Sequence, residues 1–256
     1  MAQISLLLAE TLKQTTMKKL IVCASALCLF TIAANAQVKK STTPAANKGS
    51  FMIKGGVNLA NISVTDNGRV SDANMLTSFH AGIGADLPLS EGLSLQPSLL
   101  FTGKGAKTEQ GNSASRTYYL KSTSNPYYIE LPVNLVGKIP LSEYTRIYVG
   151  AGPYAAMGIA GKNKVEGYLA NVAVNSEKDI VYSDDNPFTR AEENGGYGKL
   201  KRFDYGINAV AGLDFNKFAI GANYGYGLAK INSVTNNTAD DKGKHRVLSF
   251  SLAVKL

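Results

Sequence analysis

His80 and His245 are the only imidazoles in the 256 residues, and Cys23 and Cys28 are the only thiols. That inventory bounds the chemistry. A hydrolase built on serine and histidine needs a third group to orient the imidazole, and the spacing around neither histidine suggests one. Both cysteines fall in an N-terminal apolar run that reads as a removable leader. The chain beyond it therefore has no thiol for a disulfide, for catalysis or for a metal. Asp184 with Asp185, and Glu192 with Glu193, are oxygen donors of the kind calcium takes, but they lack the EF-hand ligand spacing and read as solvated loop charges. Gly195-Gly196-Tyr197-Gly198 has neither the lysine nor the following helix of a phosphate loop. No catalytic, metal or cofactor-binding residue is assigned, and no cofactor is expected.

The charges that remain informative share one property. Lys54, His80, Asp86, Glu130, Arg146, Asp204, Asp214 and Lys255 all sit on the polar phase of segments that alternate apolar and polar residues. Alternation with period two is the mark of a strand with two unlike faces. The pattern is plainest in residues 218–228, where Phe218, Ile220, Ala222, Tyr224, Tyr226 and Leu228 alternate with Ala219, Gly221, Asn223, Gly225 and Gly227. One face is greasy and ends in two large aromatics; the other is almost bare of side chains, as a narrow interior would be. The same design recurs at residues 51–59, 79–87, 93–101, 127–136, 146–159, 203–215 and 247–256.

These eight segments predict an all-β fold, an eight-stranded antiparallel transmembrane β-barrel with its apolar face toward lipid. Lipid offers no hydrogen-bond partners, so a sheet within it must close and leave no edge. Connections two, four and six are short, whereas one, three, five and seven are long and polar, the asymmetry of short periplasmic turns and long outer loops. Residues 103–123 and 161–200 are read as long polar loops, with extra β-structure expected near residues 168–174. Pro132 is a blemish, because it removes a ladder donor. Phe51, Phe101, Tyr127, Phe203, Phe215 and Phe218 fall near strand ends and suit interfacial girdles. Eight strands enclose a space that side chains can fill. The eight polar-phase residues are accordingly expected to form an interior network, with Lys54, Arg146 and Lys255 paired to Asp86, Glu130, Asp204 and Asp214, and His80 packed on a neighbouring Asp or Tyr.

The N-terminus carries the address. Met17 with Lys18-Lys19, an apolar run over residues 20–33 and Ala34-Asn35-Ala36 read as a secretory signal peptide over residues 1–36, with Met17 as the true start. Residues 37–50 form a flexible lead-in, and residues 51–256 the barrel. The formal charge of +8 is spread through loops without a basic stripe interleaved with aromatics, which argues against nucleic acid. The expected partners are outer-membrane lipid and an envelope or secretion protein met through the outer loops, with the barrel a monomer in the cell outer membrane.

Four motifs carry a resemblance: Phe51-Met52-Ile53-Lys54-Gly55-Gly56-Val57-Asn58, Tyr128-Ile129-Glu130-Leu131-Pro132, Tyr148-Val149-Gly150-Ala151-Gly152-Pro153-Tyr154 and Tyr224-Gly225-Tyr226-Gly227-Leu228. With them the chain resembles the PorT-type outer-membrane β-barrel family of Bacteroidota over residues 50–256. The resemblance implies an outer-membrane barrel in which Pro132 is a family feature, and its founding member is associated with protein secretion. Leu256 departs from the terminal aromatic usual in such barrels. The sequence thus favours a non-enzymatic barrel plugged by its own side chains, with outer loops free for a partner or ligand. A narrow passive channel for small solutes and a soluble lipocalin-like ligand-binding barrel are the alternatives.

Overall fold

The computed structural model describes residues 49–66, 69–72, 74–112, 117–183, 199–230 and 243–256. The expected signal peptide and nearly all of the lead-in lie outside these residues, as do Asp184, Asp185, Glu192, Glu193 and residues 195–198.

The alternating segments close into a ring. Its strands are β1 (Ser50–Asp66), β3 (Asn74–Ser90), β4 (Leu93–Gly103), β6 (Tyr118–Pro140), β7 (Thr145–Leu169), β11 (Phe203–Phe215), β12 (Phe218–Gly227) and β13 (Lys244–Lys255). Around the ring the order is β1-β13-β12-β11-β7-β6-β4-β3 and back to β1. All neighbours are antiparallel, and the seam between first and last strands runs from Met52 opposite Lys255 to Ser63 opposite Lys244. The ring has no free edge, which lipid requires. Among the described residues no helix is long and apolar enough to cross a membrane; the strands do it instead. The thirteen residues of β11, at about 3.4 Å each and tilted by about 45°, cover roughly 30 Å of membrane thickness.

The faces are inverted relative to a water-soluble barrel. Ile53, Val57, Ile83, Leu131, Ile207 and Leu252 are each half or more exposed, while Asn58, His80, Asp86, Asp204, Asn208 and Asp214 are buried. The greasy phase therefore faces out and the polar phase in. Phe215 stacks on Phe218 with ring centroids 4.8 Å apart at one rim. Phe101 stacks on Tyr127 at 5.2 Å, with Phe79 beside both, toward the other. The first rim holds the tight connections, Glu91 with Gly92, residues 141–144, and Asn216 with Lys217. The barrel's ends meet there too, where the Leu256 amide donates to the Phe51 carbonyl at 2.9 Å.

The opposite rim corrects the sequence reading. Residues 103–123 and 161–200 are not simply loops. β6 and β7 run on above the aromatic rim as far as Tyr118 and Leu169, flanked by β5 (Ala106–Gly111) and β8 (Val172–Asp179), so that β5, β6, β7 and β8 make a protruding four-stranded sheet. Ala170 and Asn171, both at positive φ (49° and 67°), turn β7 into β8. That is the backbone twist a two-residue hairpin favours. A register shift at Tyr127 and Tyr128 marks where barrel wall becomes protruding sheet, a common use of a bulge. Likewise β1 continues to Asp66 and is paired by β2 (Arg69–Asp72). Pro132 does interrupt the wall: no rungs join β4 to β6 between Pro97–Val133 and Leu100–Glu130.

Candidate functional site: the barrel interior

Two charged layers and a polar middle line the lumen. Near the tight-turn rim, Lys138 pairs with Asp86 and lies 3.7 Å from Asp214, and Lys255 reaches Asp214 at 2.5 Å. These four come from β3, β6, β11 and β13, every second strand of the ring. They form a belt of alternating sign, Asp86–Lys138–Asp214–Lys255, that ties together strands which do not hydrogen-bond to one another. Layers of side chains drawn from alternate strands are how a small barrel fills its interior.

Nearer the protruding sheet, Lys104 is wholly buried between Glu130 at 2.6 Å and Asp204 at 2.9 Å. Its ammonium sits 4.0 Å above the Tyr154 ring, an arrangement that strengthens when water is excluded. The Tyr154 hydroxyl donates to Asp204 at 3.2 Å. His245, fully buried, lies edge-on to Tyr128 and shares a 3.3 Å contact with its hydroxyl. Lys104 leaves β4 while Asp204 belongs to β11, so this layer bridges the lumen.

Between the layers lies a cavity of about 90 Å³, room for a few water molecules. Lys54 lines it and donates to Ser98 Oγ at 3.0 Å. His80 Nδ1 donates to Asn58 Oδ1 at 2.7 Å, and Nε2 accepts from Ser251 Oγ at 2.8 Å. That tautomer follows because the Asn58 amide nitrogen is already donating to Thr102 and to the Phe79 and Gly103 carbonyls. The carbonyl oxygens of Asn134 and Asn223 are buried without a protein partner and line the same cavity, where water can satisfy them.

The glycines of the polar phase make room for tyrosines from other positions. A Cβ on Gly221 would fall 1.9 Å from the Tyr148 hydroxyl, and one on Gly158 would fall 2.1 Å from the Tyr182 ring. Tyr182 belongs to β9 (Val181–Ser183), which pairs in parallel with β10 (Lys199–Lys201). Its ring packs edge-on to Tyr128, and its hydroxyl donates to the Ala160 carbonyl at 2.7 Å. The chain after β8 thus folds into the loop-side mouth. The face that looks bare in sequence is covered from across the barrel.

Of the eight expected interior residues, seven lie in the layers or the cavity. The expected pairings hold only for Lys255 with Asp214. Glu130 and Asp204 are matched instead by Lys104, and Asp86 by Lys138. Lys54 has a serine where a carboxylate was expected, and His80 has Asn58 and Ser251, not an Asp or Tyr. Arg146 lines the mouth at the tight-turn rim with Glu91 and Lys217, next to the belt's Asp86, Lys138 and Lys255, and is not one of the belt's ion pairs. Lys104 and Lys138 were taken for loop residues, yet each continues the inward phase of its strand: Ser98, Thr102 and Lys104 on one side, Glu130, Asn134 and Lys138 on the other.

Among the described residues no cluster of three metal-ligating side chains occurs. The arrangement pairs every carboxylate of the two layers with a lysine and links alternate strands.

A family model described as outer membrane protein beta-barrel domain matches residues 35–233. No curated protein matches the chain. Solved structures similar to it include Ail, the attachment invasion locus protein of Yersinia pestis, at 15% identity and a TM-score of 0.37, covering 82% of this chain and 99% of that one. Neisserial surface protein A is similar at 12% identity and 0.38, covering 82% and 100%. The translocator domain of the autotransporter NalP from Neisseria meningitidis is similar at 9% and 0.28, covering 93% and 98%.

Proposed function

Because the chain belongs to the outer membrane protein beta-barrel domain family, we propose that it is a non-enzymatic barrel, plugged by its own side chains, whose protruding sheet meets a partner or ligand outside the cell. It is an outer-membrane protein. The finer reading is carried by one observation: charged layers cross the lumen near both ends, one a four-membered belt and the other centred on a buried Lys104. A conducting pore needs a continuous aqueous path. Here every carboxylate of the two layers is held by a lysine, and the space between them is about 90 Å³.

The histidines support the non-enzymatic reading by their partners. His80 is held by an amide and a serine in the membrane interior, and His245 is buried against Tyr128. The four sequence motifs favour a place in the PorT-type branch of the family, found in Bacteroidota, and with it a role as an accessory component of the envelope or its secretion machinery.

Planar-bilayer recording tests the plug. The purified protein is expected to give no steady unitary current. Reproducible single-channel steps from pure protein would establish the passive-channel alternative in its place. Partner capture from solubilised envelope, compared with a variant whose hairpin is shortened across residues 163–178, tests the role of the protruding sheet.

A further inference from the structure

β8 is the outer edge of the protruding sheet. Among the described residues it pairs only with β7, and all of it is exposed except Val174, which is half-buried. Every second N–H and C=O of an edge strand points away from its sheet and can template another strand. We propose that this edge binds an extended segment of a partner protein as an added strand, one with basic side chains on one face and apolar side chains on the other. The inference rests on the reading of the protruding sheet as a partner platform and specifies its chemistry.

The pairing register fixes the two faces. On one face β7 places Lys164 opposite Glu177 and Lys162 opposite Asp179. Lys162 also reaches Glu177 at 2.5 Å, and Lys164 reaches Glu166 at 2.7 Å. Charge therefore alternates across the strands and ends on acid at the open edge. A next strand is favoured by lysine or arginine opposite Glu177 and Asp179, since directly opposed unlike charges attract and like ones repel. On the other face β8 carries Val172 and Val174 next to the turn, then Ser176 and Lys178, and behind the valines stand Leu169, Leu120 and Tyr118. Val172 is about two-thirds exposed, and Leu169 and Tyr118 about half. An added apolar side chain beside the valines would cover that surface.

A second copy of the chain fits less well. Two barrels in one membrane share orientation, so a two-fold axis relating them lies along the membrane normal and leaves both β8 strands running in the same sense, with equivalent side chains turned to opposite faces of a shared sheet. Glu177 and Asp179 of one copy would then share a face with Val172, Val174, Ser176 and Lys178 of the other, a single lysine where a row of basic residues is wanted.

The test uses full-length protein in detergent micelles and two fluorescent peptides of one length, one alternating Lys with Val and one alternating Glu with Val. Anisotropy titration is expected to show the Lys–Val peptide binding at least about tenfold more tightly, with the preference reversed in Glu177→Lys/Asp179→Lys. Heat-modifiable gel migration verifies that the variant barrel is folded. If that variant does not fold, Asp179→Asn on its own is expected to weaken Lys–Val binding severalfold and to tighten Glu–Val binding. Equal binding of the two peptides, or a preference unmoved by the substitutions, overturns the proposal. If the shortened-hairpin variant nevertheless loses a partner that the intact protein captures, the platform reading stands and only the edge mechanism fails. If neither peptide nor envelope protein binds, both fail.

Discussion

At the scale of single residues, the interior is decided by which carboxylates find a cation. Glu130 and Asp204 converge on one ammonium, that of Lys104. Removing one partner of a buried ionic group leaves the rest uncompensated and costs about 3–5 kcal/mol. Lys104→Met is therefore expected to lower barrel stability by about that amount, whereas Lys162→Met, which breaks the exposed and solvent-screened contact with Glu177, leaves the unfolding midpoint unmoved. The chain lacks tryptophan, so urea unfolding is best followed by circular dichroism or by gel migration. The same residue shows the limits of reading from sequence. The acids Asp86, Glu130, Asp204 and Asp214 were recognisable from their phase within strongly alternating strands. Their true partners Lys104 and Lys138 were not, because a glycine, Gly103 or Gly137, stands in the outward position just before each and breaks the apolar alternation that signals a strand. Partner choice across a lumen depends on strand stagger, and no local pattern encodes that.

At the scale of elements, the barrel wall was legible throughout, whereas of the protruding sheet only the β-structure near residues 168–174 was, where β7 turns into β8, for one physical reason. In lipid one face of a strand must be apolar, so residues 203–215 advertise their period. In water both faces may be polar, and β8, with Asn175, Ser176, Glu177 and Lys178 in succession, advertises nothing. The hairpin is nevertheless held by a register of eight opposed pairs between β7 and β8. Its weak point is the turn, where Ala170 takes a positive φ. A left-handed conformation costs an L-residue with a Cβ roughly 1–2 kcal/mol. Ala170→Gly is expected to stabilise the hairpin by about 1 kcal/mol, seen as roughly fivefold slower amide exchange across residues 162–178 with barrel amides unchanged. Unchanged exchange throughout would mean that the turn does not limit opening of the hairpin.

At the scale of the whole molecule, stability depends on where the solvent changes. Leu252, half exposed on the barrel wall, faces hydrocarbon, while Val172, more exposed still, faces water. Leu252→Arg is expected to destabilise the folded barrel by about 2–4 kcal/mol, and Val172→Arg by no more than about 0.5 kcal/mol, in refolding titrations with lipid vesicles. Similar effects at the two sites would contradict the placement of the bilayer. The join of β1 to β13 has a consequence for biogenesis. The cylinder's two lips belong to the earliest and latest made of its strands, so no product short of β13 can shut itself. Until those lips meet, the chain carries two bare ribbons of amide and carbonyl that any other unfinished wall can template.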